Sequence, residues 1–332
     1  MNIHITLDYE LFLDDRVGTV EASLVKPMRE FDKVCQRYGV RATIFVDAAY
    51  LLRLSQLKDT WQDLQKDYDD TVANIQWLEA QGHDIELHIH PQWYYSTYDE
   101  AGWHLDWQHY KLSTAPYEES KAYFAQSKQL LDNLIGRETH VFRAGGYSIQ
   151  QFNYQDCFRA NGILADSSVL TGRKLLSDTH YYNYSHAPFD AYRFSEDILK
   201  VEKEGIFTEF PISCFKCSLP YYIGVRRKSG KLSGVKWGDG GDNPKGLLGR
   251  IHDKWVGLMR WTCYNHASID NATFTMLPDV YAACKRTQKH FVIKGHPKEF
   301  TEGTMSMLDK FIPDCQAQGD TFTTLSQELL HV

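Results

Sequence analysis

The sequence predicts an α/β chain: an irregular parallel (β/α) barrel of about seven strands, with a loop-rich insertion near 215–262. Three observations carry this reading. Short apolar runs of strand character alternate with amphipathic helical stretches some seven times, the pattern of parallel strands joined by helical crossovers. That many repeats in 332 residues favour a closed or nearly closed barrel over an open doubly wound sheet. No GxGxxG follows the first strand, which counts against a dinucleotide-binding sheet.

In chain order, Ile3, Ile5 and Leu7 alternate with polar residues over 2–8 and predict the first strand. Pro27 opens a helix in which Met28, Phe31, Val34, Cys35 and Tyr38 recur at helical spacing, and Gly39 ends it. Ala42-Thr-Ile-Phe-Val46 reads as a buried strand. A helix over 69–81, stopped by Gly82, carries Val72, Ile75, Trp77 and Leu78. The next strand spans 84–90 and is halted by Pro91. A long loop over 91–116 is rich in Trp and Tyr. Pro116 introduces a helix of about twenty residues ending at Gly136. Strands follow at His140-Val-Phe-Arg143 and Ile163-Leu-Ala-Asp166, with a helix between them at about 149–161. Further strands fall at 206–212 and 290–295, then a helix near 303–317, a strand at Phe322-Thr-Thr-Leu325 and a short terminal helix.

Composition limits the function. Hydrophobic residues at 43% and charged residues at 24% describe a globular chain, read as one domain over 1–332. A net charge of −7 gives no basis for nucleic acid as partner. No run of 18 apolar residues predicts a membrane span, and Met1–Asp8 enters a strand without a basic, apolar leader. Seven scattered cysteines argue against a disulfide framework. Cys214-Phe-Lys-Cys217 is a lone CxxC and reads as a structural pair of thiols. The expected setting is the cytoplasm.

Chemistry concentrates where strands end. On a strand, residues two apart share a face, so Glu86, His88 and His90 point one way while Ile85, Leu87 and Ile89 pack the other. Two imidazoles beside each other are two-thirds of a metal site awaiting a carboxylate. The first strand ends in Asp8-Tyr9-Glu10, a later one in Arg143-Ala-Gly-Gly-Tyr147, another in Asp166-Ser-Ser, and a late one in Gly295-His296-Pro297. Functional side chains of parallel barrels gather at these C-terminal ends.

These residues resemble, in order, the motifs of the polysaccharide-deacetylase (NodB-homology) family of metal-dependent carbohydrate esterases. Thr6-Leu-Asp-Tyr9 is similar to the family's opening Thr-Phe-Asp-Asp. Gly82-His-Asp-Ile85 leading to His88 resembles its His-pair motif, Arg143-Ala-Gly-Gly-Tyr147 its Arg turn, Asp166-Ser-Ser-Val its fourth motif, and His296 its late histidine. Three positions differ: Tyr9 replaces the usual second Asp, with Glu10 one place on; the histidines are His88 and His90, with Gln92 beyond; and a Gly-Gly turn replaces Arg-x-Pro-Tyr.

The resemblance implies one divalent ion held by Glu10, His88 and His90. Zinc suits this mixed O/N set best, with cobalt, nickel or iron able to substitute. It implies Asp8 as general base, with exchange of roles between Asp8 and Glu10 left open because they share a strand face. Arg143 would hold the base ionised, and the backbone N–H of Gly146 or Tyr147 would face an oxyanion. His296, tuned by Asp166, would protonate the leaving amine. Trp93, just past the histidines, is the expected sugar-stacking residue. The implied substrate is an acylated sugar of bacterial surface-glycan synthesis, nucleotide- or lipid-linked. The basic stretch Arg226, Arg227, Lys228, Lys231, Lys236, Lys245 and Arg250 reads first as a solvated loop; its alternative is a place for a diphosphate or acidic sugar, with Gly238-Asp-Gly-Gly241 as a lid hinge. Two other readings stand beside this one: a catalytically inactive carbohydrate-binding relative, and another barrel metallohydrolase of amidohydrolase or PHP type.

Overall fold

The computed structural model describes residues 1–176, 181–242 and 263–331. Among the described residues, its centre is a nine-stranded sheet that curls on itself. Seven strands run parallel: β1 (Asn2–Tyr9), β2 (Thr43–Asp47), β3 (Asp84–Ile89), β4 (Val141–Ala144), β5 (Ala165–Asp166), β7 (Phe207–Glu209) and β8 (His290–Gly295). Between β5 and β7 in sequence, β6 (Tyr192–Phe194) pairs antiparallel with β7, and β9 (Thr321–Phe322) extends the sheet alongside the start of β1. The order is β6-β7-β5-β4-β3-β2-β1-β8. Closure is irregular. Past β7 the chain reaches across to β8 through Ser213 N–H to the Val292 carbonyl, 3.0 Å, and residues 267–269 bond alongside. The expected irregular parallel barrel of about seven strands is borne out.

The crossovers form where sequence signals place them. α1 (Lys26–Tyr38) has Pro27 in its first turn, where the missing N–H costs nothing, and ends at Gly39 with φ +66°. Its Met28, Phe31, Val34 and Cys35 are buried against the sheet. α2 (Ala48–Leu57) lies where the sequence reading places no element: Ala48–Leu52 is a continuous apolar run following β2, and its polar side, Arg53, Ser55 and Gln56, begins only in the second half. α3 (Gln62–Ala80) begins earlier than expected, over a stretch whose only buried residue before Thr71 is Leu64. α4 (Tyr117–Ile135) fits its Pro116 and Gly136 boundaries. The stretch after 214 is less loop-like than expected: Cys214–Cys217 pairs antiparallel with Cys263–His266, and α5 (Leu219–Leu232) follows the first of these strands. α6 (Leu277–Cys284), also unforeseen, precedes β8, and α7 (Glu302–Ala317) follows it. Lys245 and Arg250 lie outside the described residues.

Candidate metal centre

The barrel's hydrogen-bond register decides which side chains share a level. His88 lies opposite Asp47 on β2 and Arg143 on β4, while Asp8 lies opposite Phe45. Because even-numbered residues of β1 face the barrel interior with His88, the strand ends deliver Asp8, Glu10, His88 and His90 to one level. All four are buried.

Glu10, His88 and His90 offer donor atoms within 4.8 Å of one another. Glu10 Oε2 sits 3.0 Å from His88 Nε2 and 2.6 Å from His90 Nε2, and the two rings meet edge to face with centroids 4.8 Å apart. The other nitrogen of His88, Nδ1, lies 2.8 Å from the Arg143 carbonyl, which accepts its proton. In the neutral ring this leaves Nε2 a bare lone pair aimed at a carboxylate oxygen. Two acceptors face each other there unless the ring takes a second proton or a cation lies between them. One carboxylate and two imidazoles, one of them oriented by a backbone carbonyl, are the donors a divalent ion of the zinc type takes. The residues therefore fit the implied ion.

Beside this trio stands a second carboxylate with different partners. Asp8 Oδ1 accepts from Arg143 at 2.7 Å, and Asp8 Oδ2 accepts from the Tyr147 hydroxyl at 2.6 Å and lies 3.4 Å from His296 Nε2. Burial alone would raise the Asp8 carboxyl, but Arg143, His296 and His88 outweigh it and hold it at about 2. Glu10 is likewise driven well below the usual carboxylate range, with Lys298 and the two imidazoles overcoming its burial. Arg143 is fully buried: it also donates to Thr6, Ser167 and the Ser167 carbonyl, and its guanidinium lies 4.2 Å over the Phe45 ring. Each of the three guanidinium nitrogens is engaged, which fixes Asp8 in place.

The Gly-Gly turn now has a reason. A Cβ on Gly145 would stand 2.8 Å from His90 Nδ1 and 2.6 Å from the Ile89 carbonyl, so only glycine lets the turn pass the imidazole. Gly146 follows at φ +61°, and Tyr147 itself adopts φ +59°, a backbone that costs a non-glycine residue on the order of 1–2 kcal/mol. That turn swings the phenol back over Asp8 and brings the Tyr147 hydroxyl to its carboxylate.

Three expectations need correction. Asp166 does not tune His296: it bonds the Ser168 hydroxyl and N–H beside Glu209, and burial raises both carboxyls. The partner of His296 is Asp270, whose oxygens lie 3.1 Å from Nδ1 and accept the His296 N–H at 2.8 Å. Asp270 is held ionised by Lys294 and His296 against its burial, with Lys294 at 3.2 Å. Trp93 is wholly buried, packed on Tyr50 and Trp103, and presents no face to a sugar. The aromatics lining the cleft beside Glu10, His90 and His296, a space of about 480 Å³, are Phe12, Trp107 and Tyr110. Gly238–Gly241 is no lid hinge: Asp239 accepts from the Thr19 N–H and hydroxyl, Gly241 exchanges both backbone bonds with Arg16, and Gly240 packs against Phe12.

Sequence reasoning also missed Lys298, whose Nζ donates to Glu10 Oε1 at 2.9 Å. Its position two residues past His296 was the available signal. Asp270 had none, because it follows no recognisable strand and neighbours no His or Cys. Glu86, which shares a strand with the histidines, is committed at the other end of β3 to the His140 and Val141 N–H groups, Arg137 and Ser326. Gln92 is buried near the centre, its Oε1 without a partner. Cys214 and Cys217 are not joined in a disulfide, and the Asn265 amide donates to Cys217 Sγ at 2.9 Å.

With this geometry in hand, known proteins supply a frame. Residues 18–153 match the family model "Polysaccharide deacetylase". A protein assigned as a polysaccharide deacetylase from Mycobacterium smegmatis superposes with a TM-score of 0.50 at 15% identity, covering 100% of this chain and 89% of that one. The Puue allantoinase superposes with a TM-score of 0.50 at 12% identity, covering 99% and 89%. No curated protein sequence matches. Residues 18–153 thus resemble the polysaccharide deacetylase family in sequence, and the chain as a whole shares its fold with these two structures. The matched span contains His88, His90 and Arg143; Asp8, Glu10 and His296 lie outside it and join them through the fold. A shared fold with an allantoinase also means that the fold alone does not choose the substrate.

Proposed function

We propose that this chain is a metal-dependent hydrolase that removes an N-acetyl or other acyl group from a sugar. The family resemblance supports carbohydrate deacetylation. The observation that carries metal dependence is the convergence of Glu10 Oε2 with two imidazole Nε2 atoms, one of which has its other nitrogen spent on a carbonyl.

When bound, a divalent ion would supply a Lewis acid and lower the pKa of a water in the centre. The chain's own residues do the rest. Asp8, ionised and clamped by Arg143 and Tyr147, takes the proton of the attacking water. His296, steered by Asp270 through Nδ1, presents Nε2 toward the same space and gives a proton to the departing amine. Lys294, paired with Asp270 and lying 5.1 Å over the Tyr147 ring, braces both groups. The substrate is read as an acylated sugar of bacterial surface-glycan synthesis, nucleotide- or lipid-linked.

The test is acetate or formate release from a panel of acylated sugars, free and nucleotide-linked, with zinc, cobalt, nickel or iron supplied. Turnover of an N-acylated sugar that depends on added ion is the expected result. Binding of sugars without turnover under any ion would favour the inactive carbohydrate-binding reading.

A further inference from the structure

We infer that Lys298 is a positioning residue that limits Glu10 to one oxygen toward the ion and weakens the ion's hold. This rests on the metal reading of the site. Lys298 Nζ donates to Glu10 Oε1 at 2.9 Å and to the Leu11 carbonyl at 2.7 Å. The other oxygen, Oε2, meets His88 and His90, at 3.0 and 2.6 Å, whereas Oε1 faces Lys298 and lies 3.7 Å from His296 Nε2. The lysine is 9% exposed, with its ammonium 5.0 Å over the Phe12 ring, so it is packed in place rather than swinging in solvent.

A carboxylate with both oxygens free can grip a cation through both. With Oε1 held by an ammonium, Glu10 has one oxygen left to give. The position a second oxygen would fill stays available to water or to an acyl oxygen, the open place a catalytic site needs. The fold makes this linkage local. Pro297–Glu299 turns immediately after His296, so the segment that brings an imidazole to Asp8 also brings an ammonium to Glu10.

The charge has a second effect. A fixed positive charge a few ångströms from a dication repels it, and in a buried site with little screening that repulsion outweighs the small gain from holding Glu10 still. A merely structural lysine would do the opposite: its loss would disorder Glu10 and weaken the ion. The sign of the change in affinity therefore distinguishes the two roles.

The experiment is zinc affinity of the purified full chain, measured by competition with a chromophoric chelator. Lys298→Met, which keeps the stem and removes the charge, is expected to bind zinc at least about tenfold more tightly than wild type while hydrolysing more slowly. Lys298→Arg is expected to stay within about threefold of wild type, since the charge remains. Unchanged or weaker zinc binding by folded Lys298→Met overturns the inference. Should that variant fail to fold, Lys298→Gln carries the same measurement and the same expectation. A wild type that binds no zinc overturns this inference together with the metal reading. A zinc-binding wild type with an indifferent Lys298→Met overturns this inference alone.

Discussion

The two ends of the barrel hold the same residue types and use them for opposite purposes. At the C-terminal ends of the strands, Glu10 converges with His88 and His90 so that one imidazole nitrogen of each points at one carboxylate oxygen. At the N-terminal ends, His290 on β8 stands between Asp190 at 2.7 Å and Glu328 at 3.2 Å, stacked on His4 with ring centroids 5.8 Å apart. There each His290 nitrogen has its own carboxylate, and those come from separate segments that the histidine ties together. One cluster turns two rings toward a single carboxylate oxygen; the other gives each nitrogen of one ring a carboxylate of its own, to which the protonated ring donates as a cross-link. A histidine and acid count does not separate a candidate site from a structural staple. Whether the ring nitrogens converge does.

Changes at the upper cluster should strike function. The largest effect is expected from His88→Ala, which removes one of the three donors: hydrolysis should fall at least about 10³-fold and bound metal should be lost, as metal analysis and acetate release would report. Asp8→Asn should lower kcat by about 10²–10⁴ while the ion stays bound. Loss of the ion instead would exchange the roles of Asp8 and Glu10. Asp270→Asn should cost about 10²-fold in kcat with little change in KM, because His296 loses its orienting partner. Asp166→Asn, in contrast, should leave kcat within a few-fold of wild type.

Changes at the lower cluster should strike stability alone. His290→Gln leaves the buried Glu328 and the half-buried Asp190 each short of a partner and is expected to cost about 1–3 kcal/mol in denaturant unfolding, with metal content and kcat unchanged. Its pH dependence has a definite sign. Burial by itself lowers the His290 imidazole, but Asp190 and Glu328 outweigh burial and raise it above its unfolded value near 6.5. The stabilisation is complete below about pH 6.5 and fades as the pH climbs through the raised native value. The margin of wild type over His290→Gln should therefore shrink from pH 6 to pH 8. His4 works in the other direction: burial holds it at about 4, so acidification from about 6.5 toward 4 erodes its contribution. The smallest effect is expected from Trp93→Phe, a few degrees at most in Tm and no change in KM, since the indole is walled in.

What could be read from the chain follows the same division. The strand ends were legible because a two-residue period puts Asp8 with Glu10 and His88 with His90 on single faces, and that geometry needs no knowledge of the fold. The helices bounded by Pro27 and Gly39, and by Pro116 and Gly136, were legible because their caps are local. α2 was not, since its first five residues form an unbroken buried apolar run that masks the polar side begun at Arg53. Asp270 was not, since it reaches His296 across 26 residues of chain from a segment without a strand pattern. Trp93 was misread because proximity in sequence to His90 does not fix the side of the wall on which a side chain lies. A short helical turn over Gln92–Tyr95 sends the indole inward, leaving Trp107 and Tyr110 at the cleft.

The most direct measurement is the metal content of the purified chain, determined by elemental analysis alongside Glu10→Ala and His290→Gln. One divalent ion per wild-type chain, absent from Glu10→Ala and retained in His290→Gln, is the predicted result. A wild type that remains free of metal after exposure to zinc, cobalt, nickel and iron, or a Glu10→Ala variant that keeps its ion, would contradict it.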